Sequence, residues 1–146
     1  ASSLSAEELD AVLSSAEDLF KAMKARQYAT IWQLITEKTK AAIVQAVCTE
    51  SAKTGADCDK GTIAADFTNG GATAVTYWEA YLSVFNPDLV LEESKWTVGA
   101  FRQDRIEINI HYRKSEKPAV LQLYREENRW KVGLEETFGA RRLLPF

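Results

Sequence analysis

Few residues of this chain are of types that carry chemistry, and their spacing decides which of them can act together. Cys48 and Cys58 lie ten positions apart around a segment containing Gly55 and Asp57. In an oxidising compartment a bridge between them closes a small loop, which by chain entropy contributes about 2.5–3 kcal/mol. In a reducing one they are two free thiols. A zinc site is not expected, because zinc normally takes four ligands and the single histidine, His111, is far along the chain. His111 alternates with Ile110 and Tyr112 and shares its parity with Asn109 and Arg113, which marks it as a solvated surface residue and not a general base.

Two carboxylates have positions suited to proton chemistry. Glu136 falls between Leu134 and Phe138 in an alternating run whose parity sends it to the apolar side, and Glu79 stands beside Trp78. A carboxyl group in apolar surroundings has its pKa raised toward neutrality, as a general base requires, and Tyr77, Tyr81 or Tyr112 would be the proton donor. Catalysis also needs a partner that orients the tuned group. No histidine faces inward and neither cysteine has an activating base beside it, so no catalytic residue, cofactor or metal is expected. The inward aromatic set has two readings: a small apolar or aromatic ligand held by Trp78, Tyr81, Trp96, Tyr112, Trp130 and Glu136, or a filled core, the commoner role of aromatic residues at such spacing.

The elements that must position these residues follow from periodicity. Ser5-Ala6-Glu7-Glu8 has capping-box spacing with Leu4 and Leu9 as a staple, and Leu9, Val12, Leu13, Ala16, Leu19, Phe20 and Met23 recur at helical steps toward Arg26. Thr30-Ile31-Trp32-Gln33 repeats the capping pattern, with a kink expected at 36–39 before Ala41 to Val47 continue the face, so that the whole reads as one broken helix or two short ones. Residues 51–71, with four glycines, read as a long loop with about one helical turn, either a lid over a pocket or a solvated excursion pinned by a disulfide. A third helix is expected from Ala72 to Phe85, stopped by Asn86-Pro87.

From Asp88 the period changes from 3.6 to 2. Four strands are expected, at 89–101, 105–113, 118–125 and 129–138, joined by hairpin-length links into an antiparallel meander. Ile106, Ile108, Ile110, Leu121, Leu123, Trp130 and Val132 take the core parity, and Arg105, Glu107, His111 and Lys131 the solvent parity. The fold class is α+β, three helical segments packed on a four-stranded sheet.

At 146 residues, with 46% hydrophobic and 27% charged composition, the chain reads as one domain, 1–146, large enough to bury about 68–70% of its unfolded surface. A net charge of −3 with interspersed signs argues against nucleic acid, and no apolar run approaches the ~20 residues of a membrane span. The Ala1-Ser2-Ser3 start without an initiator Met fits a mature, periplasmic or otherwise extracytoplasmic product, with Cys48 and Cys58 bridged. The tail Arg141-Arg142-Leu143-Leu144-Pro145-Phe146 joins cations to apolar residues, as segments that dock on a protein partner or a second copy do.

This pattern resembles the nuclear transport factor 2-like (SnoaL-like) superfamily. The resemblance rests on the helix carrying Tyr77-Trp78 and ending at Asn86-Pro87, on the Tyr28 to Leu34 stretch, and above all on the final hairpin, Tyr124-Arg125-Glu126-Glu127-Asn128-Arg129-Trp130-Lys131-Val132. Many members carry a similar acidic residue, turn and Trp-Lys-Val there. The resemblance implies a cystatin-like cone, a curved sheet wrapped around helices with a pocket between them. It also implies two classes of function: non-enzymatic binding or interaction domains, and small pocket enzymes of the isomerase or dehydratase type, for which Glu136 or Glu79 with a tyrosine would act as acid and base.

Overall fold

The structure, a computed structural model, describes residues 5–113 and 116–138. The elements are α1 (Ala6–Lys24), α2 (Tyr28–Gln33), α3 (Glu37–Lys53), α4 (Lys60–Asn69), α5 (Ala72–Val84), α6 (Pro87–Glu92), β1 (Ser94–Arg102), β2 (Arg105–Tyr112), β3 (Ala119–Glu126), β4 (Arg129–Gly133) and α7 (Leu134–Phe138). The architecture is α+β: helices first, then an open antiparallel sheet in the order β1-β2-β3-β4.

α1 begins as its sequence requires. Ser5 is extended and its Oγ accepts the Glu8 N–H at 3.1 Å, satisfying one orphan donor of the first turn; Leu4, the expected staple residue, lies outside the described residues. Arg26, at φ 58°, ends the helix in a left-handed turn, with the Gln27 N–H on the Ala22 carbonyl at 2.9 Å. α1 buries Val12, Ala16, Leu19, Phe20 and Met23 and packs along β4.

The sheet carries the expected alternation on its inner face. Ile106 stands between Phe101 and Leu123, Ile108 between Val98 and Leu121, and Ile110 between Trp96 and Ala119. The three isoleucines, both leucines, Trp130 and Val132 are all buried. On the outer face His111 is exposed, but Arg105, Glu107 and Lys131 are half-buried, because cross-strand neighbours cover their stems: Arg105 pairs with Tyr124, Glu107 with Gln122 and Lys131 with Tyr124. A β-bulge between Val98 and Phe101 shifts the β1 register.

Four expectations about the elements are corrected and one is narrowed. The segment 51–71 is not a loop: Asp59 caps the Thr62 N–H at 3.2 Å and α4 runs ten residues to Gly70, whose φ of 66° closes it. Gln27, not Thr30, is the N-cap of α2. Of the two readings of the break at 36–39, the structure has two separate helices, with Thr36 Oγ1 accepting the Thr39 N–H. α5 ends at Val84, before Asn86-Pro87 as expected, but Pro87 sits in the first turn of a further helix, α6, where its missing N–H costs little, so the first strand starts at Ser94, not Leu89. Finally β4 stops at Gly133, and residues 134–138 are helical. Three helical segments thus become seven helices among the described residues.

Cys48 and Cys58 form a disulfide with a Cα–Cα distance of 5.3 Å, within the usual range for a bridge. It ties the C-terminal half of α3, through the buried Cys48, to the residue before the α4 cap. Phe67 of α4 is fully buried and stacks on Trp32 at 4.6 Å, edge-on to Tyr77 and Trp78. Truncation leaves a void at that junction, so Phe67→Ala should cost about 3–5 kcal/mol in urea unfolding. A loss below about 1 kcal/mol would show that α4 is not packed as described.

Candidate functional site

The deepest polar arrangement surrounds Glu136. α7 folds back over the start of α3, bringing the Glu136 Oε1 within 3.1 Å of Thr36 Oγ1 and 3.0 Å of Thr39 Oγ1. Both threonines are fully buried. Thr36 Oγ1 accepts the Thr39 N–H and Thr39 Oγ1 accepts the Glu135 N–H; the two hydroxyl oxygens also lie 2.8 Å apart, so they share one proton between them and the other is donated to the carboxylate. A side chain on Gly133 would begin 2.9 Å from the Glu136 carboxyl carbon; glycine there leaves the space the carboxylate occupies. Gln122 Nε2 donates to the Glu136 carbonyl at 3.1 Å, and Thr137 Oγ1 accepts the Gln122 N–H at 2.9 Å, continuing the β3 ladder where β4 ends. Glu136 therefore reaches inward through a helix turn, not through strand parity.

The second carboxylate faces outward. Glu79 is exposed and accepts a hydrogen bond from the Tyr28 hydroxyl at 3.3 Å. The three tyrosines that the sequence offers as donors have pKa values above the ordinary range, chiefly through burial: Tyr77, where Tyr81 and the Glu135 charge add to the effect, Tyr81 and Tyr112. A phenol moved in that direction holds its proton more firmly and is a poorer acid at neutral pH.

The aromatic residues named for ligand binding do not converge on one cavity. Trp78, Tyr81 and Trp130 are buried. Trp78 and Tyr81 belong to a run of touching rings from Trp32 through Phe67, Tyr77 and Phe85 to Phe20 and Trp96. Trp130 packs on Phe101 and under the Arg125 guanidinium, 4.7 Å from its ring. Trp96 is half-buried and its indole N–H donates to Ser94 Oγ at 3.0 Å; Tyr112 is half-buried at the end of β2. His111 Nε2 meets Thr97 Oγ1 at 3.1 Å on the outer face. The Arg141–Phe146 tail lies outside the described residues.

Open space lies instead among the helices. A cleft of ≈ 290 Å³ separates α3 from α5, lined by Val47, Ser51, Ala72, Thr73, Thr76 and Tyr77 with Glu50 at its edge. A second, of ≈ 530 Å³, separates α3 from α4. A third, of ≈ 540 Å³, lies between α1 and α6 beside Trp96; its lysines are paired, Lys21 with Glu17 and Lys24 with Asp88 and Glu92. Sequence periodicity could have found the α3–α5 cleft only once α4 was known to be a helix, since α4 is what fixes where these two run.

The described helices include none long and apolar enough to cross a membrane, and no group of His, Cys, Asp or Glu among the described residues is arranged to hold a metal ion. Compared with models of protein families, with curated proteins and with solved structures, the chain matches none of them.

The Glu136 arrangement makes a specific stability prediction. Thr39→Val keeps the shape of the side chain but removes the acceptor for the Glu135 N–H and a donor to Glu136, leaving buried polar groups unpaired. It should cost about 1–3 kcal/mol in chemical denaturation, and Thr36→Val added to it should cost less than the sum of the single changes, since both act on one carboxylate. Full additivity would contradict the shared network.

Proposed function

We propose that this chain is a non-enzymatic binding domain of the nuclear transport factor 2-like, cystatin-like type, acting outside the cytoplasm, and that it takes a small apolar or aromatic ligand in the cleft between α3 and α5. The observation that carries the reading is the lining of that cleft: apolar surface from Val47 and Ala72, one aromatic ring from Tyr77, hydroxyls at Ser51, Thr73 and Thr76, and the Glu50 carboxylate, whose charge is paired with Lys53. Ligand sites combine apolar walls with a few polar groups in this way. At ≈ 290 Å³ the space is at the small end of ligand sites and suits a compact aromatic compound.

The family reading draws support from helices preceding an antiparallel meander that ends on Trp130-Lys131-Val132. The compartment reading draws support from the Cys48–Cys58 bridge, since such bridges persist in oxidising surroundings. Against the isomerase or dehydratase alternative stands the chemistry of the carboxylates. Glu136 is occupied by two threonine hydroxyls, and Glu79 meets its tyrosine on the exposed surface.

Fluorescence titration with the neutral probe 1-aminoanthracene tests the site. Saturable one-to-one binding is expected, lost in Thr76→Trp, whose indole fills the cleft from an exposed helix position, and retained in Glu136→Gln. Absence of saturable binding, or binding indifferent to Thr76→Trp, would refute the assignment.

A further inference from the structure

The cleft between α3 and α4 has a different character. Lys40 stands on its α3 wall and Lys60 on its α4 wall, with Ala41, Val44 and Ala64 between them. Its ≈ 530 Å³ lies within the roughly 300–1,000 Å³ of small-molecule sites. Lys40 is held in place: its side chain is 21% exposed and its ammonium lies 5.9 Å from the centre of the Trp32 ring. Its acidic partner Glu37, at 3.3 Å, has a side chain 78% exposed, so water screens that attraction. Lys60 makes no ion pair among the described residues.

The lining carries two lysines against one carboxylate, Glu37. The Lys131 ammonium nearby is held below its ordinary range by desolvation first, then by Lys40 and Arg129, with Glu126 and Glu127 acting the other way. The α1–α6 cleft differs in that both of its lysines have a carboxylate beside them, whereas in the α3–α4 cleft only Lys40 does. The disulfide adds a mechanical element. Cys48 lies one helical turn beyond Val44, and Cys58 lies two residues before Lys60, so the bridge fixes how far apart the two lysine-bearing walls can stand.

The geometry points to the α3–α4 cleft as a second binding site, for a small organic anion: an acidic group gripped between Lys40 and Lys60, on an apolar body lying against Val44 and Ala64, in a cleft whose width is set by the Cys48–Cys58 bridge. This site is independent of the α3–α5 cleft and of its neutral ligand.

The probe is 8-anilinonaphthalene-1-sulfonate, an aromatic anion, titrated by fluorescence and by amide chemical shifts of the whole chain. The expected result is binding that weakens with added salt, with shifts centred on residues 40–44 and 60–64. Lys60→Gln, on an exposed side chain that the fold does not need, should weaken it about fivefold, since one exposed charge contact is worth up to about a factor of five. Neutral 1-aminoanthracene should not respond to that substitution. Reducing the bridge should weaken the anion about fivefold or more while the far-ultraviolet circular dichroism is kept. Failure of the anion to bind, an affinity unchanged by Lys60→Gln, or shifts centred elsewhere would overturn the site. An affinity unchanged by reduction would overturn the part given to the bridge.

Discussion

The helical layer and the sheet are joined at Thr36, and much of the structure depends on that one junction. Its N–H donates to the Val132 carbonyl at 3.1 Å while the Val132 N–H donates to the Leu34 carbonyl at 2.8 Å, a short parallel bridge centred on Ile35 and Val132. Its hydroxyl caps α3 and contacts Glu136. The edge of β4 is thereby sealed by the chain entering α3, where an open edge would offer unpaired backbone groups to other chains. The Glu126 carboxylate adds to the closure by accepting the Glu37 N–H at 3.1 Å, a negative charge at the positive end of α3. With residue 36 fixed, the direction of α3 is fixed, and both clefts beside it follow.

From that junction the packing explains where open space occurs. The run of rings from Trp32 to Trp96 threads α2, α4, α5, α1 and β1. Aromatic rings in edge-to-face and offset contact bury large area and leave little void. The space is displaced outward, to the seams on either side of α3, where Ala41, Ala64 and Ala72 supply too little volume to close the gap. Small side chains at helix seams thus make the clefts, and large ones inside remove the pocket that the aromatic content of the sequence suggested.

The inner face of the sheet was legible in the sequence because its side chains repeat with period 2, and Ile106, Ile108 and Ile110 have one partner each on either side. The Ser5 cap was legible for the same reason of spacing. The α4 helix was not: glycines at 55, 61, 70 and 71 suggested a loop, yet Gly70 is a helix terminator and Gly61 sits in the first turn. Leu89 and Val90 read in the sequence as the start of the first strand, whereas Asn86 capping the Asp88 N–H at 2.9 Å starts α6 there. Glu136 was picked out for the wrong reason. Alternation through Leu134 and Phe138 mimicked a strand, whereas the partners that define its environment, Thr36 and Thr39, are about a hundred positions away, and local patterns carry no information at that distance. Lys40 and Lys60 gave no signal at all, since their pairing across a cleft depends on α4.

Whether ligands enter beside α3 or between the helices and the sheet is the point on which the account turns. The chain has four tryptophans, and their indole N–H resonances report the two places separately: Trp78 and Trp130 lie in the core, while Trp32 borders the α3–α4 cleft. A ¹H–¹⁵N titration with a neutral aromatic ligand should move backbone amides of residues 47–51 and 72–77 and leave the Trp78 and Trp130 indoles in place. Large shifts at those two indoles, with α3 and α5 unmoved, would contradict the account and put the ligand between the helices and the sheet.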